Sequence, residues 1–427
     1  MANRTRIASL SQTSTAYRKT TLPNGIRIVT EEIPHVKSAS FGVWLGVGSR
    51  DETPVNNGIS HFIEHMCFKG TKNRSVQQIA RSLESVGGYL NAFTTKEHTC
   101  YYARVLDEHS ELAIDVLSDL VQNSKFPVGE MEKEKQVVIE EIKSLEDDPD
   151  DLIHDFFEED VYSGHPLGLS VIGTAENVLT FTRDQLNEYV GRHYHPAAMV
   201  IAGAGNIKHE KIVEYVAHYF TGEKKAIPQP APSKLPRRVR NIVHYERPIQ
   251  QAHICTGTLA FSVHSKKRFA ALALNTLLGD GMSSRLFQNV REKYGFAYSV
   301  YSFLNFMSDS GTFGMYIATD NKHIDKCLHL VFGELERLKR TPVKATELLR
   351  TKAQLKGNTM LGLESTSNRM MRLGPGELYF ESFMEMDEIL ARVDAVSIDE
   401  LVEIAELLFD ENKFSTIVIK NENAGTL

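Results

Sequence analysis

At 427 residues the chain is long enough for two or more domains, and its 42% hydrophobic and 24% charged content is ordinary for a globular protein. A net charge of −7 excludes the basic footprint of a nucleic-acid binder. No run approaches the uncharged apolar length of a membrane-crossing helix, so no membrane span is expected.

Residues 1–16 hold Arg4 and Arg6 among serines and threonines, and no acid occurs before Glu31. The segment lacks the apolar core of a secretory signal. It has some of the character of a mitochondrial presequence, but the first strand begins near Tyr17 and leaves little room for a leader. A disordered tail is expected there. The run Thr21-Leu22-Pro23-Asn24-Gly25-Ile26-Arg27 reads as strand, Asn-Gly turn, strand. A further apolar strand covers Ser38 to Val47.

Next comes His61-Phe62-Ile63-Glu64-His65. Histidines four apart on a helix project from one face, and Glu64 points to nearly the same side. Two imidazoles on one ion with a carboxylate beside its water is the arrangement of a zinc hydrolase. The order His-x-x-Glu-His is the inverted form of the commoner metallopeptidase motif. The plain alternative is a helix with a polar face. Ser60 is the expected N-cap and Gly70 the expected C-terminal stop. The apolar Phe62, Ile63, Met66 and Phe68 predict a half-buried helix, whose polar groups need partners.

A second helix is predicted over Val76 to Ser85, strands over Tyr89 to Thr94 and Thr99 to Val105, and a helix over His109 to Asn123. Glu130 to Leu145 reads as a helix in which Met131, Glu134, Val138, Glu141 and Leu145 recur at spacings of three and four. A zinc site needs a third protein ligand, and a carboxylate on a core-facing stripe is costly unless paired or metal-bound. Glu140 shares its face with Lys133, Val137 and Ser144 and reads as solvated. Periodicity therefore favours Glu141 as third ligand, with Glu134 one repeat away behind a ligand. The alternative is an imperfectly buried stripe with both glutamates wet. Glu146, Asp147, Asp148, Asp150 and Asp151 read as a solvated helix end and turn around Pro149.

Helices follow over Asp150 to Tyr162 and Arg183 to Tyr194, a strand over Ala198 to Ala204 and a helix over Lys208 to Tyr219. The Pro-rich segment Thr221 to Arg240, with Pro228, Pro230, Pro232 and Pro236, reads as a linker between nearly equal halves. The halves resemble each other. A helix, a helix and Val86-Gly87-Gly88-Tyr89-Leu90-Asn91-Ala92-Phe93 in the first match Ala270 to Leu278, a helix and Tyr294-Gly295-Phe296-Ala297-Tyr298-Ser299-Val300-Tyr301 in the second. Only the first half has the metal motif. Cys67, Cys100, Cys255 and Cys327 form no C-x-x-C, the pattern of free thiols in a reducing compartment, and Cys67 reads as a small buried hydrophobe.

Taken together, His61, Glu64 and His65, followed by Glu134 and Glu141 spaced as Glu-x6-Glu, resemble the pattern of the pitrilysin/insulinase family of zinc peptidases. His65-Met66-Cys67-Phe68-Lys69-Gly70-Thr71 and Asn91-Ala92-Phe93-Thr94 match as well, and similarity extends from about Tyr17 to Phe414. The chain is most similar to the two-domain bacterial peptidases and the mitochondrial processing peptidase. The resemblance implies an α+β fold of two similar α/β-sandwich domains, each a mixed, mostly antiparallel sheet with helices, joined by a linker as a clamshell. The expected boundaries are 17–222 for the zinc-binding domain, 223–240 for the linker and 241–427 for a domain without metal. It implies one Zn2+ per chain on His61, His65 and Glu141, with Glu64 as general base. Arg291 and Tyr298 match a family pair that faces the zinc across a cavity, where Arg291 would hold a substrate carbonyl and Tyr298 would donate to the oxyanion. Asn91 and Ala92 would lie on a strand whose free edge takes the substrate. The expected function is a zinc-dependent endopeptidase acting on peptides or unfolded segments, as a homodimer in a bacterial cytoplasm, with the mitochondrial matrix as the second location. The alternative is a catalytically silent partner subunit of a processing-peptidase-like complex.

Overall fold

The computed structural model describes residues 16–223, 234–237 and 239–421. The expected tail and much of the expected linker lie outside the described residues. Two sheets organise the rest. The first has six strands in the order β1-β2-β6-β3-β5-β4 and the second five in the order β7-β11-β8-β10-β9. In the first, β1 is Ala16–Thr21, β2 Arg27–Glu32, β3 Ser38–Leu45, β4 Tyr89–Thr94, β5 Thr99–Leu106 and β6 Met199–Gly205. In the second, β7 is Asn241–Glu246, β8 Ala252–Leu259, β9 Ala297–Phe306, β10 Gly311–Thr319 and β11 Ser415–Lys420.

Leaving β1 aside, the sheets have one topology. Each begins with a parallel pair, β2 with β6 and β7 with β11, and continues antiparallel to a free edge at β4 or β9. The half-chain repeat seen in the sequence is thus a repeat of sheet order. The Asn-Gly hairpin is longer than a two-residue turn, because pairing ends at Thr21 and Arg27 and residues 22–26 form the loop.

Helices cover both sheets. In the first half they are α1 Ile59–Cys67, α2 Val76–Glu84, α3 Ser110–Asn123, α4 Val128–Asp147, α5 Pro149–Val161, α6 Ala175–Thr180, α7 Arg183–His193 and α8 His209–Tyr219. In the second they are α9 Arg268–Gly279, α10 Ile324–Arg340, α11 Ala345–Gly362, α12 Thr366–Phe380, α13 Met386–Ala395 and α14 Ile398–Leu408. The acidic stretch after α4 is a helix boundary, as expected: Pro149 opens α5 and Asp148 caps it by accepting from Asp150 N–H.

The halves exchange one helix each. Leu152, Ile153, Phe157 and Val161 of α5 are buried against Cys255, Tyr316, Ile417 and Ile419 of the second sheet. Met370 and Leu373 of α12 are buried against Val29, Trp44, Val200 and Ala202 of the first. Glycines at matching places let the helices approach. A Cβ on Gly42 of β3 would lie 2.5 Å from Met370, and one on Gly257 of β8 would lie 2.8 Å from Phe157. Each fully buried apolar side chain contributes about 1.5–3 kcal/mol. The four of α5 alone therefore stabilise the junction by several kcal/mol, and the halves are tied through packed cores, not through the linker alone.

Candidate metal centre

The site is built on α1. Its N-cap is Gly58, with φ of 95°, in place of the expected Ser60. Ser60 is inside the first turn and buried, with its hydroxyl 2.8 Å from Tyr189 Oη. The capping acceptor is Glu52, which takes Gly58 N–H at 2.7 Å and Ser60 N–H at 2.8 Å. A buried carboxylate does here what a serine does elsewhere, and no local periodicity signals it. Glycine is required at 58: besides the left-handed backbone, a Cβ there would lie 2.8 Å from Gly173 Cα. The helix stops with Phe68 as C-cap, and Gly70 follows at φ 112°.

His61 and His65 stack edge-on with ring centroids 4.6 Å apart. From α4, Glu141 Oε2 lies 3.9 Å from His61 Nε2 and 3.5 Å from His65 Nε2. The three ligand atoms all lie within 4.8 Å of one another. Tetrahedral zinc with bonds of about 2.0–2.2 Å separates its ligand atoms by about 3.3 Å. The two histidine–glutamate contacts, at 3.9 and 3.5 Å, are near that separation without an ion between them. The donor set, two imidazoles and a carboxylate, fits zinc with one position left for water.

Glu134 sits where the repeat in α4 puts it, 2.9 Å from His65 Nδ1. That contact fixes Nδ1–H as donor and leaves Nε2 to face Glu141. Lys69 Nζ, 2.6 Å from the other oxygen of Glu134, completes the chain. Burial favours the neutral form of Glu134, but the bonds from His65 and Lys69 outweigh it and hold this carboxyl below its usual range. Burial, reinforced by His65, holds the His61 imidazole down to about 3, the neutral form a metal needs.

Glu64 is buried with its Oε2 accepting from the Thr94 hydroxyl at 2.6 Å. Burial raises its pKa against the pull of Thr94 and His65, which moves it toward the working range of a general base. Thr94 is the last residue of β4. It lies in the run Asn91-Ala92-Phe93-Thr94, whose match to the family assigns it no role. The signal was available, because Leu90, Ala92 and Thr94 alternate on one face of a strand beside α1.

The periodic stripe of α4 is buried at Met131, Glu134 and Val138 but continues through Ile142, not Glu141, whose side chain is 47% exposed. Glu141 therefore reaches the histidines from the rim of the stripe. Glu140 is solvated as expected, paired with Lys143 at 2.7 Å. Ala92 N–H points along the free side of β4 and donates to its neighbour Asn91 Oδ1 at 2.9 Å. Cys67 is a buried thiol against Tyr101 Oη at 3.3 Å, not a ligand.

Arg291 lies on a seven-residue π-helix, Phe287–Lys293, just before β9. Its guanidinium stacks over Tyr298 with 5.4 Å to the ring centroid, and Tyr298 is 71% exposed. The structure brings these two together on the second half. Among the described residues, the hydrogen-bond and ion-pair partners of His61, Glu64, His65 and Glu141 all come from the first half.

The site and its sheets define a class, and comparison with known proteins names it. The profile of insulinase (peptidase family M16) matches residues 27–175, and that of the peptidase M16 inactive domain matches residues 180–355. The chain is 41% identical over 406 residues to an uncharacterized zinc protease of Bacillus subtilis, covering 95% of this chain and 99% of the relative. It is 40% identical over 420 residues to an uncharacterized zinc protease of Streptomyces coelicolor, covering 96% and 91%. A protease from Helicobacter pylori superposes with a TM-score of 0.90 at 23% identity, covering 95% of this chain and all 100% of that one. The chain belongs to the insulinase family of peptidases, M16. The match to a domain described as inactive begins at residue 180, beyond the His-x-x-Glu-His motif.

Proposed function

We propose that this protein is a zinc-dependent endopeptidase acting on peptides or unfolded polypeptide segments. The observation that carries the reading is the convergence of His61, His65 and Glu141 within 4.8 Å, with Glu64 beside them. One Zn2+ per chain would be held by His61 Nε2, His65 Nε2 and Glu141. Bound there, it supplies the acidification of a water and the polarisation of a substrate carbonyl.

The remaining steps belong to side chains. Glu64, held by Thr94, takes the proton of the attacking water and passes it to the leaving amine. Glu134 holds His65 in the tautomer that presents Nε2. The free edge of β4 at Asn91 and Ala92 accepts an extended peptide as an added strand, which selects unfolded segments. Tyr298 donates to the oxyanion and Arg291 holds a neighbouring carbonyl. Among the described residues, no hydrogen bond or ion pair joins that last pair to the metal centre. A homodimer, with the partner's second half over the open side of the cluster, would supply it. Four buried free cysteines fit a reducing compartment such as a bacterial cytoplasm.

The test is Glu64→Gln. The variant is expected to bind zinc as the parent does and to lose hydrolysis by about 10²-fold or more. Full hydrolysis by that variant would remove the base assignment.

A further inference from the structure

The turns that end the two free-edge strands are equivalents in the repeat, residues 95–98 between β4 and β5 and residues 307–310 between β9 and β10. They touch. Arg50 reaches across both: its guanidinium pairs with Glu97 and Asp309 and donates to Ser308 Oγ at 2.8 Å. Glu97 accepts from Ser308 N–H at 2.8 Å and from Tyr379 Oη of α12 at 2.9 Å. Its side chain is 8% exposed and that of Arg50 14%. Beside them, Arg50 N–H donates to Lys96 O at 2.8 Å, and Tyr162 Oη lies 3.1 Å from Ser310 Oγ.

The exchanged helices already tie the halves together, so cohesion does not need this cluster. Its position suggests another role. Among the described residues β4 has a strand on one side only, and its far end runs directly into the clamped turn. Thr94, three residues before Glu97, carries the hydroxyl that holds Glu64. Three residues of extended chain span only about 10 Å. We infer that Arg50 and Glu97, gripping Ser308 and Asp309 of the second half, are positioning residues that set Thr94 and through it Glu64. This rests on the reading of Glu64 as the base. The second half would thereby contribute to catalysis through the shape it imposes on the first, as well as through any contact with substrate.

A double-mutant cycle tests the link, using the peptide cleaved best in a digest of unfolded peptides. Arg50→Gln and Asp309→Asn, on opposite sides of the contact, are each expected to lower kcat about ten-fold with KM and zinc content within about two-fold of the parent. Arg50→Lys, which keeps the charge without the fork, should recover part of the loss. In a Thr94→Val background the same substitutions should lower kcat further by less than about two-fold. Losses that multiply would overturn the link through Thr94, and an unchanged kcat in both single variants would overturn the inference entirely. Asp309→Asn, at a half-exposed position, serves if the Arg50 variants fail to fold. An activity-independent arm measures amide exchange in the metal-free protein: residues 95–98 should exchange faster in Asp309→Asn, and unchanged exchange counts against the clamp. An active Glu64→Gln protein would end the base assignment itself. An inert Glu64→Gln protein beside multiplying losses would overturn the link alone.

Discussion

Replacing Glu134 by glutamine isolates the support behind the proposed metal ligands. Glutamine keeps the shape of the side chain and removes the charge that His65 Nδ1–H and Lys69 both meet. Substitutions of such carboxylate partners typically cost 10–100-fold in metal affinity, which is about 1.4–2.7 kcal/mol. Fold stability should change less. The Lys69 side chain is 26% exposed and can turn to water, so the loss of its partner costs about 1 kcal/mol or less. The assay titrates zinc into metal-stripped protein against a chromophoric chelator and compares Glu134→Gln with Glu140→Gln. Glu140 is the internal control, since its side chain is 71% exposed and, among the described residues, pairs with Lys143 alone. The expected result is a zinc Kd raised 10–100-fold in the first and within about two-fold of the parent in the second. Equal affinities in the two variants would refute the argument that Glu134 sets the His65 tautomer.

Glu141→Gln should weaken zinc binding far more than Glu140→Gln, measured by metal content after dialysis; equal content would reverse the choice of ligand. Tyr298→Phe should reduce turnover with little loss of metal, and unchanged turnover would remove Tyr298 from the chemistry. Gly58→Ala should lower the denaturation midpoint, because the new methyl meets Gly173 and the backbone is left-handed; the expected cost is about 1–3 kcal/mol. A pH effect follows from Asp51, whose burial, opposed by Gly48 N–H and Arg50, raises its carboxyl from 3.8 to about 6. The folded state then holds a proton that the unfolded state has released. This contribution to stability is fully present below about pH 4 and is lost as pH rises through 6, with a ceiling of about 3 kcal/mol. Asp51→Asn should flatten that part of the pH–stability curve, followed by urea unfolding; an unaltered slope would contradict the assignment.

The placement of the His-x-x-Glu-His motif on a helix was legible because it is local: two histidines and a glutamate on nine residues of helix need no tertiary knowledge to share a face. Glu134 and Glu141 were legible through a seven-residue spacing, but the reason was partly different from the expected one. The buried stripe of α4 follows a 3.6-residue period and drifts onto Ile142, leaving Glu141 at its rim. The repeat was visible in residue runs and emerged as a shared strand order. The helix exchange was not visible, since an apolar stripe on α5 or α12 shows that a helix is buried without showing which sheet covers it. The cap from Glu52 and the clamp from Arg50 to Asp309 were hidden for a similar reason. The cap is a loop carboxylate six to eight residues from the N–H groups it meets, the clamp joins loops 259 residues apart, and neither lies in a periodic pattern. Arg291 and Tyr298 rest on family resemblance alone, and among the described residues they stack on each other without a hydrogen bond or ion pair to the cluster.

The central claim is that His61, His65 and Glu141 hold the zinc of a peptide hydrolase. A library of unfolded peptides, digested by the zinc-loaded protein, by the chelated protein and by the chelated protein with zinc restored, tests it most directly when read by mass spectrometry. The account predicts internal cleavage by the loaded protein, none after chelation, and recovery when zinc returns. Cleavage that survives chelation, or a zinc-loaded protein that cuts no peptide, would contradict it.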